Sequence, residues 1–513
     1  MNTQLNLPRR GKMLSNKTIV LGVTGSIAAY KAVEIASQLT QAGAIVSVIM
    51  TKAATEFVTP LTFQAITGRR VVTEMFDLAS EFSIEHVGLA EAADIVIIAP
   101  ATANVIAKLA AGIADDMLCC TVLATKASVL IAPAMESNMY DNPTTQDNLS
   151  KLKARNFTIV GPAWGRLASG REGLGRLADI NDIIGAICQT LGKDGDLAGK
   201  YIVVTAGGTR EPVDPVRYIS NRSSGKMGYA LAETARDRGA RVSLVTAPTS
   251  LIEPMGVDIV NVNTAQEMCQ AVRNVVPQAD ALIMAAAVAD YHPVSTAKDK
   301  IKKRDAGLTL ELELTPDILG SIKGDFIKVG FAAESSNLVE NAKQKLQQKE
   351  LDLIVANDIT ATDSGFGADN DRVAIIDPEG KVDSLPLLPK REVADKVLDR
   401  VAALLAQRDK KGNSILITVK PAYLKYKYLH IPKKCRSWFP GFKVPFEVEI
   451  DGEILQTRIV DAFASGWQQG DLNSCAEIRG LGKWYSAHPE LTAGHELIIE
   501  VVEPKKRYRL KRA

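Results

Sequence analysis

Twice along the 513 residues, short apolar runs alternate with segments of helical periodicity, and this pattern restricts the chain to very few architectures. TIVLGVTG, AIVSVIM, DIVIIAP, SVLIAPA and FTIVGPA lie between Lys17 and about Ile187; YIVVTAGGT, RVSLVTAP, ADALIMAAAVAD, KVGFAAES and LDLIVAND follow Lys200. Runs without polar alternation read as strands buried on both faces. The segments between them, such as AAYKAVEIASQLTQAG, place apolar residues every three or four positions, so they read as the helices that cover those faces. Parallel strands need crossovers, and these helices supply them. The reading is α/β, two doubly wound parallel-sheet domains in tandem, the second ending in the helix REVADKVLDRVAALLAQR.

The pattern also sets the expected boundaries: an N-terminal tail over 1–16, a first domain over 17–192, and a second over 193–410 that opens with the polar linker KDGDLAGK. Beyond RDKKGNS the character changes. FEVEIDGEILQTRIV and HELIIEVVE alternate with period two around a DG turn, so residues 411–513 read as a third, β-rich and barrel-like domain. That domain holds 17 Lys+Arg against 11 Asp+Glu, near +6, although the whole chain is only +2. The average therefore argues against polyanion binding throughout, and conceals a basic piece. No run reaches the roughly eighteen apolar residues of a membrane span, and residues 1–16 lack a signal-peptide core. The expectation is a cytoplasmic chain with no membrane contact. Its six cysteines show no zinc spacing, so reduced thiols and no structural metal are expected.

In the first domain, TIVLGV runs into Thr24-Gly25-Ser26-Ile27-Ala28-Ala29-Tyr30-Lys31, where Gly25 permits close backbone approach and a helix start offers N–H groups to a phosphate. Any doubly wound domain has such a turn, so its companions matter more. His86 precedes DIVIIAP, which ends in the polar cluster Pro100-Ala101-Thr102-Ala103-Asn104 at a strand's carboxyl end. SVLIAPA leads into Met135, Glu136 and Met139, and a glycine-rich loop over 165–176 carries Arg166, Arg171 and Arg176, suited to an anionic substrate. Plainer readings stand beside these. A lone histidine is commonly structural, and Cys119, Cys120, Met135 and Met139 read as packing residues.

GSIAAYK, the histidine, PATAN and PAMxxxM, in this order, resemble the flavin-dependent cysteine decarboxylase family over nearly the whole first domain. The resemblance implies a flavodoxin-like fold that binds FMN through Gly25, Ser26, Thr51, Thr102 and Asn104, with His86 as the active-site histidine. It also implies the chemistry: flavin oxidises a cysteinyl thiol, the adjacent carboxylate leaves as CO2, and hydride returns to the ene-thiolate. Two positions depart from the family. Glu136 stands where an asparagine commonly holds the substrate carboxylate, and Ser169 stands where a cysteine commonly donates the last proton. A hydroxyl is a far weaker acid than a thiol. Either the acid is rearranged, with Glu136 a candidate, or the reductive step is impaired and the chain is a ligase only.

In the second domain, YIVVTA opens into GGTREPVDPVRYISNRSSGKMG, too long for a dinucleotide GxGxxG but rich in the serines, glycines and asparagine of an anion cradle. ADALIMAAAVAD reaches Asp290, and AKDKIKKR follows with Lys298, Lys300, Lys302 and Lys303, which suits a triphosphate as well as a solvated face. Together with GFAAE and LDLIVAND these segments resemble phosphopantothenate-cysteine ligase across 196–409. The domain order is similar to the bifunctional phosphopantothenoylcysteine decarboxylase/phosphopantothenate-cysteine ligase family of coenzyme A synthesis.

That resemblance implies 4'-phosphopantothenate, cysteine and CTP as substrates, an acyl-cytidylate intermediate and Mg2+ on the phosphates. CTP contacts carry over to Asp290, Lys300, Pro316, Asp317, Ile318, Phe331, Lys345 and Lys349; Asn221 would hold the acyl-cytidylate and Arg217 the substrate's anionic groups. It implies a homo-oligomer, with trimeric flavin domains and dimeric ligase domains. The third domain faintly resembles B3-like pseudobarrels. Lys425, Lys427, Lys433, Lys434, Arg436 and Trp438 would then contact DNA phosphates, whereas Trp484 and Tyr485 read as core aromatics.

Overall fold

The first five apolar runs pair into one parallel sheet. Its strands Thr18–Val23, Ile45–Met50, Ile95–Ala101, Ser128–Pro133 and Thr158–Ile159 lie in the order second, first, third, fourth, fifth. Alternate residues enter different cores: Ile19, Leu21, Ile95 and Ile97 pack with helices Ala29–Gln41 and Ile180–Gly192, whereas Val20, Val96 and Ile98 pack with Ala103–Ala111 and Met117–Ala124. Burial on both faces is why these strands carry no polar alternation. Each such Ile or Leu contributes about 1.5–3 kcal/mol. Crossovers leave the first and third strands in opposite directions, which opens a crevice at their carboxyl ends.

The second set forms an eight-stranded sheet. Asp258–Asn261, Arg241–Thr246, Tyr201–Ala206, Ala281–Met284, Ile327–Glu334 and Leu353–Asp358 run parallel, and Val373–Ile376 and Val382–Ser384 add antiparallel at one edge. The sheet is therefore mixed, not wholly parallel. The antiparallel pair is too short to read as a run in the sequence. Two segments read as loops are hairpins: Ala163–Arg166 pairs with Glu172–Arg176, and Arg210–Pro212 with Tyr218–Ser220. Their strands are short and held by backbone hydrogen bonds rather than by a hydrophobic face, so they leave no periodic signature.

The computed structural model describes residues 11–75, 85–302, 308–334, 337–358, 367–412, 414–431, 438–440, 444–461, 476–478, 480–503 and 505–512. The chain divides into two units, Met1–Ala402 and Ala403–Ala513. Leu14, placed by sequence in the tail, is fully buried in the first core, and Leu197 of the polar linker is fully buried as well. The linker region lies close against the end of helix Lys226–Asp237. A Cβ on Gly192 would sit 1.6 Å from the Asp237 carbonyl oxygen.

The second unit is a seven-stranded sheet in the order Ser414–Thr418, Glu496–Glu503, Arg507–Arg512, Pro445–Ile450, Glu453–Asp461, Ala476–Ile478, Leu429–Ile431, with short helices Pro421–Tyr426 and Gly482–Ala487. The DG turn forms as expected: Asp451 and Gly452 both take positive φ between two antiparallel strands. Among the described residues the two outermost strands do not pair with each other, so the expected barrel is an open sheet. Trp484 and Tyr485 are buried in its core as expected, and Trp438 packs against that core instead of standing free for DNA. Lys303, Lys433, Lys434 and Arg436 lie outside the described residues. Among those described, no helix is long and apolar enough to cross a membrane.

Candidate functional site

Two cavities meet at the crevice of the first sheet. Gly25, Ser26, Thr51, Thr102 and Asn104, expected from sequence, all line one of about 480 Å3. Buried Thr24 joins its walls, donating from Oγ1 to the Pro100 carbonyl at 2.7 Å and accepting from the Thr102 N–H at 3.1 Å. A Cβ on Gly25 would come within 2.4 Å of the Ala53 Cβ, so only glycine lets these two turns approach. Thr51 Oγ1 is the one buried side-chain polar atom without a hydrogen-bond partner among the described residues. A buried hydroxyl left unpaired costs about 1–3 kcal/mol, which a bound phosphate oxygen would recover. Lys108, also in the lining, is pushed up to about 12 because it donates to Asp115 and Asp116.

The adjoining cavity, about 720 Å3, shares Ser26, Ala134 and Met135 with the first and is lined by Glu136, Arg166, Ser169 and Arg176. It exists because the hairpin folds onto the Met135–Ser137 backbone. Gly175 brings no side chain there: a Cβ would lie 2.1 Å from the Met135 carbonyl oxygen, and the Met135 N–H in turn donates to the Gly175 carbonyl at 2.9 Å. Glu136 accepts from the Asn138 N–H at 2.6 Å and from the Ser137 hydroxyl at 3.2 Å. Ser169 is exposed at the hairpin tip. Lys31, which sequence reasoning passed over, lines the same cavity; burial and then the Arg176 charge lower its pKa. Arg171 is exposed outside the lining. His86, half-buried on helix Glu85–Ala92, lines neither cavity. Met139 was read as packing, but it is 51% exposed at the rim, because its four-residue helix is too short to bury a face.

A third cleft of about 590 Å3 lies at the carboxyl ends of the second sheet. Asn221, Asp290, Pro316, Asp317, Ile318, Phe331, Lys345 and Lys349 line it, gathered from segments more than a hundred residues apart. Asn221 donates to the Val288 carbonyl at 2.9 Å, which fixes the long loop across the mouth. Lys349 pairs with Asp317 at 3.0 Å, while Asp290 is exposed. Lys300 is exposed outside the lining. Lys226, Asn357, Asp371 and Lys390 also line the cleft without having been expected; only Lys226 lay in a segment already singled out.

Arg217 does something other than expected. It grips the buried Asp214 through Nε at 3.0 Å and Nη2 at 2.6 Å, and donates to the Ile301 carbonyl at 2.6 Å. Its guanidinium is thus committed to holding the segment around Ile301. Burial alone would push the Asp214 carboxyl up, but the Arg217 hydrogen bonds and the N–H groups of Val216, Ile301 and Arg217 hold it far below the usual range. A depressed carboxylate stabilises fully above its unfolded value of about 4, and that contribution is lost as pH falls further. Asp214→Asn should therefore lower the thermal midpoint at pH 7. The gap from wild type should close as pH drops below about 4, a difference that calorimetry over a pH series measures.

Residues 8–192 match the family described as flavoprotein, and residues 197–405 the one described as DNA/pantothenate metabolism flavoprotein C-terminal domain. The chain is 46% identical over 406 residues to the coenzyme A biosynthesis bifunctional protein CoaBC of Bacillus subtilis strain 168, covering 78% of this chain and 100% of that protein. It is 43% identical over 407 residues to the protein of the same description from Escherichia coli strain K12, again covering 78% and 100%. A crystal structure of the C-terminal domain of a CoaBC protein is 42% identical, with a TM-score of 0.36, over 42% of this chain and 99% of that one.

Proposed function

Because the chain belongs to the family of bifunctional coenzyme A biosynthesis proteins, a decarboxylase joined to a ligase, we propose that its sheets divide a two-step conversion between them. In the cleft of the second sheet, the carboxylate of 4'-phosphopantothenate attacks the α-phosphate of CTP, and the cysteine amine then displaces CMP from the acyl-cytidylate. Lys345 and Lys349, four apart on one helix, face the triphosphate together. Pro316, Asp317, Ile318 and Phe331 hold the nucleotide, and Asn221 orients the acyl group. Mg2+ prefers oxygen donors; phosphate oxygens would supply most, with the exposed Asp290 as the protein's carboxylate. Convergence of these distant segments on one cleft is the observation that carries the reading.

The 480 Å3 cavity suits FMN: an unpartnered Thr51 hydroxyl, a glycine-only turn and the start of helix Ala103–Ala111 surround it. When bound there, FMN supplies the two-electron oxidation of the cysteinyl thiol and its reversal. Arg166 and Arg176 bind the substrate's anionic groups, and Ser169 closes over it from the hairpin tip. Glu136, fixed by its two acceptor bonds, is the carboxyl group placed to exchange a proton with the substrate. His86 lies outside its own chain's lining, so its role as base requires a neighbouring copy, in keeping with trimeric flavin domains. Mixing and co-refolding two inactive variants, His86→Asn and Gly25→Val, should then restore decarboxylation in mixed assemblies.

The deciding experiment supplies CTP, cysteine and 4'-phosphopantothenate to the full chain and follows product by mass. 4'-Phosphopantetheine with release of CO2 supports the two-step reading. Accumulation of the acylated cysteine alone would mean that the Ser169 site no longer completes reduction.

For the second unit we propose an interaction with DNA phosphates. The positive charges of Arg507–Arg512 are largely neutralised across the sheet, by Glu447, Glu449, Glu500 and Glu490. Lys425 and Lys427 remain exposed beside Tyr426, which is 65% exposed. Replacing both with Gln should weaken duplex retention and flatten the slope of log K against log salt by about 0.9 for each phosphate no longer neutralised, read by filter binding at several salt concentrations. Unchanged retention would remove DNA as the partner.

A further inference from the structure

Lys390 has no part in either half-reaction of the ligase as proposed. It begins the helix Lys390–Gly412, is 7% exposed, and lines the ligase cleft with Asn221, Asn357 and Asp371. Two effects disfavour its ammonium: burial strips its hydration, and the first residue of a long helix sits at the positive end of the dipole. Of the charged groups around it, Asp371 and Asp369 favour the ammonium while Lys226 opposes it; burial outweighs them all and the pKa is lowered. Nζ donates to the Ala368 carbonyl at 2.6 Å, and the backbone N–H to the Asp369 carbonyl at 3.0 Å, so the amine is held in place. The neutral amine keeps a lone pair that this donated bond does not use.

The ligase reaction needs such a group. Cysteine arrives with its α-amine as ammonium, and only the free amine can attack an acyl carbon. Among the other cationic groups of the cleft, Lys226 is paired with Asp369 and Lys349 with Asp317, and both side chains are about one-third exposed.

We propose that Lys390 is the proton acceptor for the α-ammonium of cysteine in the second half of the ligase reaction, an inference that rests on the ligase reading above. The Nζ lone pair takes one ammonium proton. The freed nitrogen pair forms the C–N bond, the acyl C–O bond to phosphate breaks, and CMP leaves with that electron pair. The remaining surplus proton on nitrogen and the one on Lys390 pass to solvent. Buried lysines lowered toward neutrality are effective bases, and such transfer contributes about 10²–10⁴-fold.

Lys390→Arg tests this in the full chain, because arginine keeps the charge and can still donate to Ala368 but does not lose its proton. Three rates are followed: pyrophosphate release without cysteine, amide formation with cysteine, and hydroxamate formation with hydroxylamine, which is already neutral at pH 7. The variant should keep the first and third within about threefold and lose the second by about 100-fold or more. That loss should shrink as pH rises toward the pKa of cysteine's own ammonium. Lys390→Met, read in the same assays, should give the same split. Cysteine ligation within about threefold of wild type and an unchanged pH profile would overturn the proposal. Loss of all three rates would overturn it too, making Lys390 an anchor for residues 367–369. Absence of CTP-dependent pyrophosphate release from the wild type would be a different failure, that of the ligase reading itself.

Discussion

Gly25→Val should yield a protein without flavin absorption bands and with decarboxylation reduced by about 100-fold or more, while ligation is unchanged. The turn after Thr18–Val23 and the turn carrying Ala53 are pressed so closely that even a methyl at position 25 would overlap the Ala53 Cβ, and the Ala53 carbonyl oxygen lies only 3.2 Å away. A branched side chain must push one turn outward. Because Thr51 stands two residues from Ala53, its unpaired hydroxyl moves with that turn, and displacement by about 1 Å removes the aligned hydrogen bonds on which phosphate binding depends. The cleft of the second sheet shares no lining residue with this cavity, which is why ligation is the internal control. A variant retaining flavin at the wild-type ratio and normal decarboxylation would exclude this cavity as the cofactor site.

Asp237→Ala should destabilise the first unit by about 3–5 kcal/mol, the cost of stranding buried charge. Asp237 is 1% exposed; Oδ1 accepts from Arg236 Nε at 2.8 Å and Nη2 at 2.6 Å, and Oδ2 accepts from Arg391. Arg391 also pairs with Glu233 at 3.1 Å, and Arg236 donates to the Met255 carbonyl. Burial opposes the Arg391 charge, but Asp237 and then Glu233 outweigh it and raise its pKa. Removing Asp237 leaves two buried guanidiniums without their shared acceptor. Replacing Arg236, Asp237 and Arg391 together with apolar residues of similar volume should cost less than the single change, since no charge is then left unpaired. Urea unfolding of the single and triple variants decides this; equal or greater loss in the triple variant would show that packing, not charge, dominates.

This cluster also shows where reading by sequence stops. Arg236 and Asp237 look like ordinary polar ends of an amphipathic helix, and Arg391 begins a helix 154 residues beyond Asp237. Nothing in their spacing predicts that all three are buried. Lys390 next to them was equally silent. Arg217 shows the opposite case: it stood in a segment whose composition suited an anion, but its anion is Asp214 of the same chain. His86 carried a motif position, yet it lies outside the cavity that its own chain forms.

By itself the sequence determined the two sheets and the motifs at their ends. Apolar runs without alternation can only be strands covered on both sides, and glycine, threonine and asparagine at the carboxyl ends of such strands fall in the crevice between crossovers. Periodicity is local, and so is what it predicts. Only the tertiary structure decided that the glycine-rich loop is a hairpin packed on Met135, that the linker's Leu197 is buried, that the third unit is an open sheet whose terminal arginines are neutralised by glutamates, and that Lys390 faces the ligase cleft. Those outcomes depend on interactions between distant residues, where burial and the charge of a neighbour, not chain order, set what a side chain can do.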